Sequence, residues 1–413
     1  MPVHTTLPFQ EDYYGCLNSL RSTLTELLVA AGVLHARPQE VAREFHLNKN
    51  LAWKISKLVH ESPGPETLSF IPGHSGFRIF LQALTDHGLA AESLAKAEVA
   101  FDTFQAMVKR HAGDRPTLQL LLDSLAVQDG DATGLEESRR LAFQGNSGIL
   151  GIQASVRYTT FFCAPNAQQP ELLDTAFLGG LLGIRRFRPN ACWPLSRHTG
   201  FTDDGTENHP PARTALDPNF VGPGPSIIGQ FSSQPIPEVA VRQIQGMEIF
   251  ELAEGPIGNR GIDDLCTGHY SRADLPRYRD AHNENGEFHI YLASPVAKIQ
   301  YDLVLHKDLG VTELASSVMA LNFHQAFAPL QARQPQDYLP MPEQARLLHG
   351  ARPAFGTPLI PRYEEMTDYV FERMDWQAED FRAWRLEIPY PPLPATLIMG
   401  FPLQEAPTSA QQA

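Results

Sequence analysis

Apolar residues return every three or four positions through the first third of the chain, so this part reads as a run of amphipathic helices. Residues 13–34 place Leu17, Leu20, Leu24, Leu27 and Leu28 on one face, and residues 75–86 do the same with Phe77, Ile79, Phe80 and Leu84 before Gly88. Residues 90–111 carry Leu94, Val99, Phe101, Phe104 and Val108 and close at Gly113; residues 117–127, after Pro116, carry Leu118, Leu121, Leu122 and Leu125. The polar, acidic stretch 128–137 marks a boundary, with 137–143 as a helical connector. Beyond Gly145 the period falls to two. Residues 151–163 alternate Ile152, Ala154, Val156, Tyr158 and Phe162 with Gln153, Ser155, Arg157 and Thr159. Residues 297–305 alternate Ile299, Tyr301, Leu303 and Leu305 with Gln300, Asp302 and Val304. Segments 177–188, 247–252, 288–292 and 384–390 read as further strands, and 361–376 as a helix packed on them. Such alternation predicts a mostly antiparallel sheet with one face covered.

Within the helical part, one segment near the N-terminus has a more specific outline. Residues 37–60, RPQEVAREFHLNKNLAWKISKLVH, read as two short helices joined by a tight polar turn. Pro38 suits a first helical position, where its missing N–H is not needed, and Glu40 complements the positive helix start. Leu47 drops inward from the turn His46-Leu47-Asn48, and Asn48 is placed to cap the second helix. From Lys49 onward Leu51, Ala52, Ile55 and Leu58 share a buried face, leaving Lys49, Asn50, Trp53, Lys54, Ser56 and Lys57 outside. Small Ala42 and Ala52 allow two helices to cross steeply. This is the pattern of a helix-turn-helix.

Residues 24–59 resemble the N-terminal helix-turn-helix of bacterial transcription regulators, the IclR and MarR-like winged type in particular. Ala42, Leu47, Ala52 and Ile55 match the small and aliphatic positions of that pattern, whereas His46 stands where glycine is commonest. The resemblance implies double-stranded DNA as partner and a homodimer spanning two half-sites. Lys49, Asn50, Trp53 and Lys54 would then enter the major groove, while Arg43 and Lys57 hold phosphates. The winged type also implies a two-stranded hairpin next, but residues 61–73 contain three prolines, which leave little room for paired strands.

Composition narrows the remaining classes. At 413 residues, 43% hydrophobic and 19% charged, the chain has the make-up of a globular protein of two or three domains, without a membrane span or a secretory leader. Four widely spaced cysteines suit free thiols and a cytoplasmic location. A formal charge of −14 opposes non-specific attachment to phosphate, yet charges are screened over about 8 Å at physiological salt, so a local basic cluster still acts.

The C-terminal part carries no P-loop, GxSxG, HExxH or dinucleotide fingerprint, and no cofactor is expected. Gly145-Asn-Ser-Gly148 and residues 255–261 read as glycine turns. Cys192, His198, Asp203, Asp204, His209 and the pair Cys266/His269 contain zinc-ligand types, though in no standard spacing, so no metal site is assigned. A small-molecule effector would be sought near Arg186, Trp193, Arg197 and His198, where the basic run 185–188 meets a long Pro/Gly loop. The expected fold class is α+β, an all-helical N-terminal half followed by a mostly antiparallel-sheet α+β domain. Its parts are residues 1–72 (DNA binding), 73–136 (linker or dimerisation), 137–403 (effector or assembly) and 404–413 (disordered tail). The resulting expectation is a DNA-binding transcription regulator; the alternative is an enzyme with its site in the C-terminal domain.

Overall fold

A computed structural model of the chain describes residues 8–64, 66–128, 133–191, 193, 195, 200–201, 207–208, 213–221, 224–244, 247–281, 284–320 and 333–407. They form two compact units, Met1–Leu135 and Glu136–Ala413, and the class is α+β.

The first unit is helical: α1 (Phe9–Ala30), α2 (Pro38–Glu44), α3 (Lys49–His60), α4 (Thr67–Phe70), α5 (His74–Asp86), α6 (Ala91–His111) and α7 (Arg115–Gln128). The leucine stripe of α1 is buried together with Phe101, Phe104, Met107 and Val108 of α6. The two helices run antiparallel, since Asp12 in the first turn of α1 takes Arg110 and His111 from the last turn of α6, each at 2.7 Å. Negative charge at a helix start and positive charge at a helix end are the favoured signs. Phe77 of α5 stacks on Phe101 at 4.0 Å, and Leu118 and Leu122 of α7 complete the same core. The helices beyond residue 73 therefore close one core with the α2–α3 pair. Among the described residues of 61–73 there is no strand, and the short α4 lies there.

The second unit contains all but the first residues of α8 (Thr133–Leu150) and then mostly strands. α8 is longer than the connector read from sequence, and it absorbs Gly145-Asn-Ser-Gly148, which is therefore helix and not a turn. The strands are β1 (Ile152–Pro165), β2 (Leu172–Arg186), β3 (Gly200–Phe201), β4 (Glu207–Asn208), β5 (Thr214–Ala215), β6 (Val239–Ile244), β7 (Met247–Leu252), β8 (Asp263–Pro276), β9 (Asn285–Leu292), β10 (Val296–His306), β11 (Ala315–Ala320), β12 (Arg346–Leu348), β13 (Phe381–Pro389) and β14 (Ala395–Pro402); helix α9 is Tyr363–Met374. Seven strands pair in the order β12-β13-β10-β1-β2-β8-β5, and three in the order β11-β14-β9. The large sheet is mixed, because β1 runs parallel to β10 while β13, β2 and β8 run antiparallel to their neighbours.

Both faces of the large sheet are covered, which corrects the expectation of one open face. Tyr301, Leu303, Leu386 and Ile388 point into a core shared with Ile290, Leu397 and Met399 of the small sheet. Tyr158, Phe162, Val304 and Ala383 point the other way, onto Tyr363, Met366, Val370 and Phe371 of α9. The polar positions Gln300 and Asp302, which alternation would place in water, are fully buried on the α9 side. Gly180 is required at the β1–β2–β8 crossing, since a Cβ there would stand 2.1 Å from the Leu265 carbonyl oxygen. Near the end of the described residues, Gln404 bridges to Tyr278, and Glu405 pairs with Arg279 at 2.6 Å.

Candidate functional site

The α2–α3 pair gathers the exposed basic residues singled out from sequence. Pro38 opens α2, and the Glu40 carboxylate accepts the Arg37 backbone N–H at 2.9 Å, closing the helix start. The last turn of α2 ends on His46 in the left-handed region, φ 52°, with the Leu47 N–H reaching back to the Ala42 carbonyl at 2.9 Å. That geometry is the usual helix C-terminal lock, made here with a non-glycine residue. Asn48 Oδ1 accepts the Asn50 N–H at 2.8 Å, so the cap read from sequence is present. Val41, Ala42, Phe45, Leu47, Ala52, Ile55 and Leu58 are buried, and Arg43, Lys49, Asn50 and Trp53 are exposed.

The exposed face is not uniform along α3. Its first turn, Lys49 and Asn50, is exposed, and Lys54 is partly covered. Trp53 keeps 41% of its surface but sets its edge on Phe70 of α4, at 5.4 Å and 88°. Lys57 forms an ion pair with Glu61 and lies 5.9 Å from the centre of the Trp53 ring. The positive charge offered outward is therefore concentrated at Arg43, Lys49 and Lys54.

The residues considered for an effector are placed differently. Arg186 is buried at the end of β2, where its Nη2 donates to the Ala253 carbonyl and its Nε has no partner among the described residues. Trp193 is fully buried, its carbonyl accepts the Leu252 N–H at 3.0 Å, and its Nε1 has no partner among the described residues. Both therefore brace the end of β7 and the residue that follows it from inside the unit. Arg197 and His198 lie outside the described residues, as do Cys192, Asp203, Asp204 and His209.

Cys266 and His269 sit on one strand, β8, three residues apart, so they point to opposite faces and cannot share a metal. Cys266 is packed beneath α9, where burial pushes its thiol up to about 12. His269 stacks on Phe177 at 5.0 Å, and burial, followed by the charge of Arg213, pushes it down to about 3. Among the described residues no three His, Cys, Asp or Glu side chains come together as a metal site, and no helix is long and apolar enough to cross a membrane. A groove of about 390 Å³ opens between the end of α1 and the start of α6, lined by Ala30, Ala31, His87, Leu89 and Ser93.

Sequence reading missed two polar groupings. One is Arg21, an arginine inside the leucine stripe of α1, whose position among Leu17, Leu20 and Leu24 was the available signal. The other is the buried set Asp302, Arg385, Tyr363 and Thr160, which joins residues up to 225 positions apart. Comparison with protein-family models and with curated proteins finds no match to this chain.

Proposed function

We propose that the first unit binds double-stranded DNA as a helix-turn-helix, and that the chain is a transcription regulator acting as a homodimer, its second unit serving assembly or effector sensing. The observation that carries this reading is the Asn48-capped α3: its inner face is sealed by Ala52, Ile55 and Leu58, while Lys49 and Asn50 are exposed on its first turn. A groove-reading helix needs such an end, because the first turn reaches base edges before the rest of the helix meets the backbone. Asn50 has the donor and acceptor pattern of an adenine edge, and Lys49 suits guanine. Arg43 and Lys54 flank this turn as phosphate contacts. Trp53 packs against Phe70 of α4 and remains partly exposed beside this turn. Lys57 adds less than its formal charge, since Glu61 neutralises it.

The overall charge of −14 sets the form of the test. Acidic surroundings suppress non-specific attachment, so sequence preference should stand out at moderate salt. A salt titration of the full-length chain against genomic fragments, its own promoter region included, is expected to show selective binding that weakens steeply as salt rises. Equal, feeble binding to all fragments at low salt would overturn the reading.

A further inference from the structure

The end of α3 remote from Lys49 is held by two side chains, Arg21 and His60. Arg21 of α1 donates from Nε to the Leu58 carbonyl at 2.8 Å and from Nη2 to the Val59 carbonyl at 3.2 Å, and Nη2 also meets the Glu61 carbonyl. These belong to the last turn of the helix, where carbonyls lack an intrahelical donor. A planar guanidinium holds its donors at fixed angles, so three acceptors on one fork define the helix end in rotation as well as position. On the other side the His60 ring places Nδ1 2.8 Å from the Ser56 carbonyl oxygen and Nε2 2.9 Å from that of Leu34, in the connection between α1 and α2. The ring thus ties α3 to the chain segment that precedes α2.

We infer that Arg21 and His60 are positioning residues for the surface described above: they set the rotation of α3 about its own axis, and so decide which side chains face the bases. The inference rests on the DNA-binding reading. Neither residue belongs to the Lys49 end, and Arg21 is turned inward onto backbone, so neither is placed to touch nucleic acid. Rotating a helix by one residue, about 100°, exchanges its outward side chains, which makes a fixed rotation a condition for base discrimination but not for phosphate attraction.

The test uses the full-length protein, a duplex that it selects from a randomised pool, and a scrambled duplex of equal length. Affinities for both are measured at several salt concentrations, for variants confirmed to be folded by circular dichroism. Arg21→Gln is expected to lower affinity for the selected duplex by roughly 10- to 100-fold, the worth of one or two base contacts, while affinity for the scrambled duplex and the salt slope stay unchanged. Arg21→Lys keeps the charge but not the fork, and should lose most of the same discrimination. His60→Gln, at an exposed site where folding is safe, should lose a smaller part. If Arg21→Gln does not fold, the other two variants carry the measurement. Variants that discriminate as well as the wild type, or that weaken on both duplexes equally, overturn the inference and leave the DNA-binding reading standing. A wild-type protein that selects no duplex overturns both.

Discussion

The Arg385 guanidinium meets the Asp302 carboxylate through Nε at 2.9 Å and Nη2 at 2.8 Å, across directly paired positions of β13 and β10, and both side chains are buried. Tyr363 of α9 donates to the same carboxylate at 2.8 Å, and Arg385 also donates to the Phe355 carbonyl at 2.9 Å. The pair therefore specifies register: a slip of one residue would leave both charges among apolar neighbours. Removing one member is expected to be severe, because the other is left buried and unpaired. Arg385→Met should destabilise the second unit by about 3–5 kcal/mol, and Tyr363→Phe by about 1–2 kcal/mol. Replacing both Arg385 and Asp302 with apolar residues should recover much of the loss. Denaturant unfolding of the full-length variants checks this, and additive losses in the double variant would contradict it.

His269 supplies a pH dependence. Its folded value, pushed down to about 3, lies below the value near 6.5 of an unfolded histidine, so the fold favours the neutral ring. The stability this gives is complete above about pH 6.5 and is lost as pH falls towards 3, at up to about 1.4 kcal/mol per pH unit. Unfolding midpoints taken between pH 7 and pH 5 should therefore fall more steeply for the wild type than for His269→Phe, which keeps a ring against Phe177. Equal slopes would show that the proton on His269 is not involved.

His46 holds a left-handed conformation, φ 52°, at the end of α2. An L-residue pays about 1–2 kcal/mol there that glycine does not, and glycine returns part of it as chain entropy. His46→Gly is expected to stabilise the protein by about 0.5–1 kcal/mol, measurable by thermal or urea unfolding, with DNA selection retained. A destabilised variant would mean that the His46 ring makes a contact worth more than the strain.

Among the lysines of α3 the structure ranks the expected effects. Lys54→Ala should lower the slope of log affinity against log salt by roughly 0.9, the share of one phosphate contact, and Lys57→Ala by much less because Glu61 already balances it. Asn50→Ala should leave that slope intact and relax base preference at one position of the selected duplex. A Lys57 effect equal to that of Lys54 would place the DNA further along the helix than proposed.

Much of the first unit was legible locally. Helix periods, Pro38, the Asn48 cap and the inward Leu47 depend on contacts within a few residues, which a linear sequence displays directly. The candidate surface was legible for the same reason, since the exposed side of an amphipathic helix is the complement of its buried side. Arg21 was harder, because a charged residue in an apolar stripe announces an unusual partner without saying which carbonyls it meets.

The second unit shows where that legibility ended. Alternation placed β1, β2, β10 and β13, yet it read Gln300 and Asp302 as solvent positions because their cover, α9, and the partner of Asp302, Arg385, lie more than 60 residues away. It treated Cys266 and His269 as possible co-ligands until the strand put them on opposite faces, and it offered Arg186 and Trp193 to a ligand although both are enclosed. What the sequence alone determined is the period of each segment and the chemistry of its ends, because these follow from backbone geometry over a few residues. Which faces are buried, and which polar groups are paired, only the tertiary structure decided, because that depends on what distant segments bring to each surface.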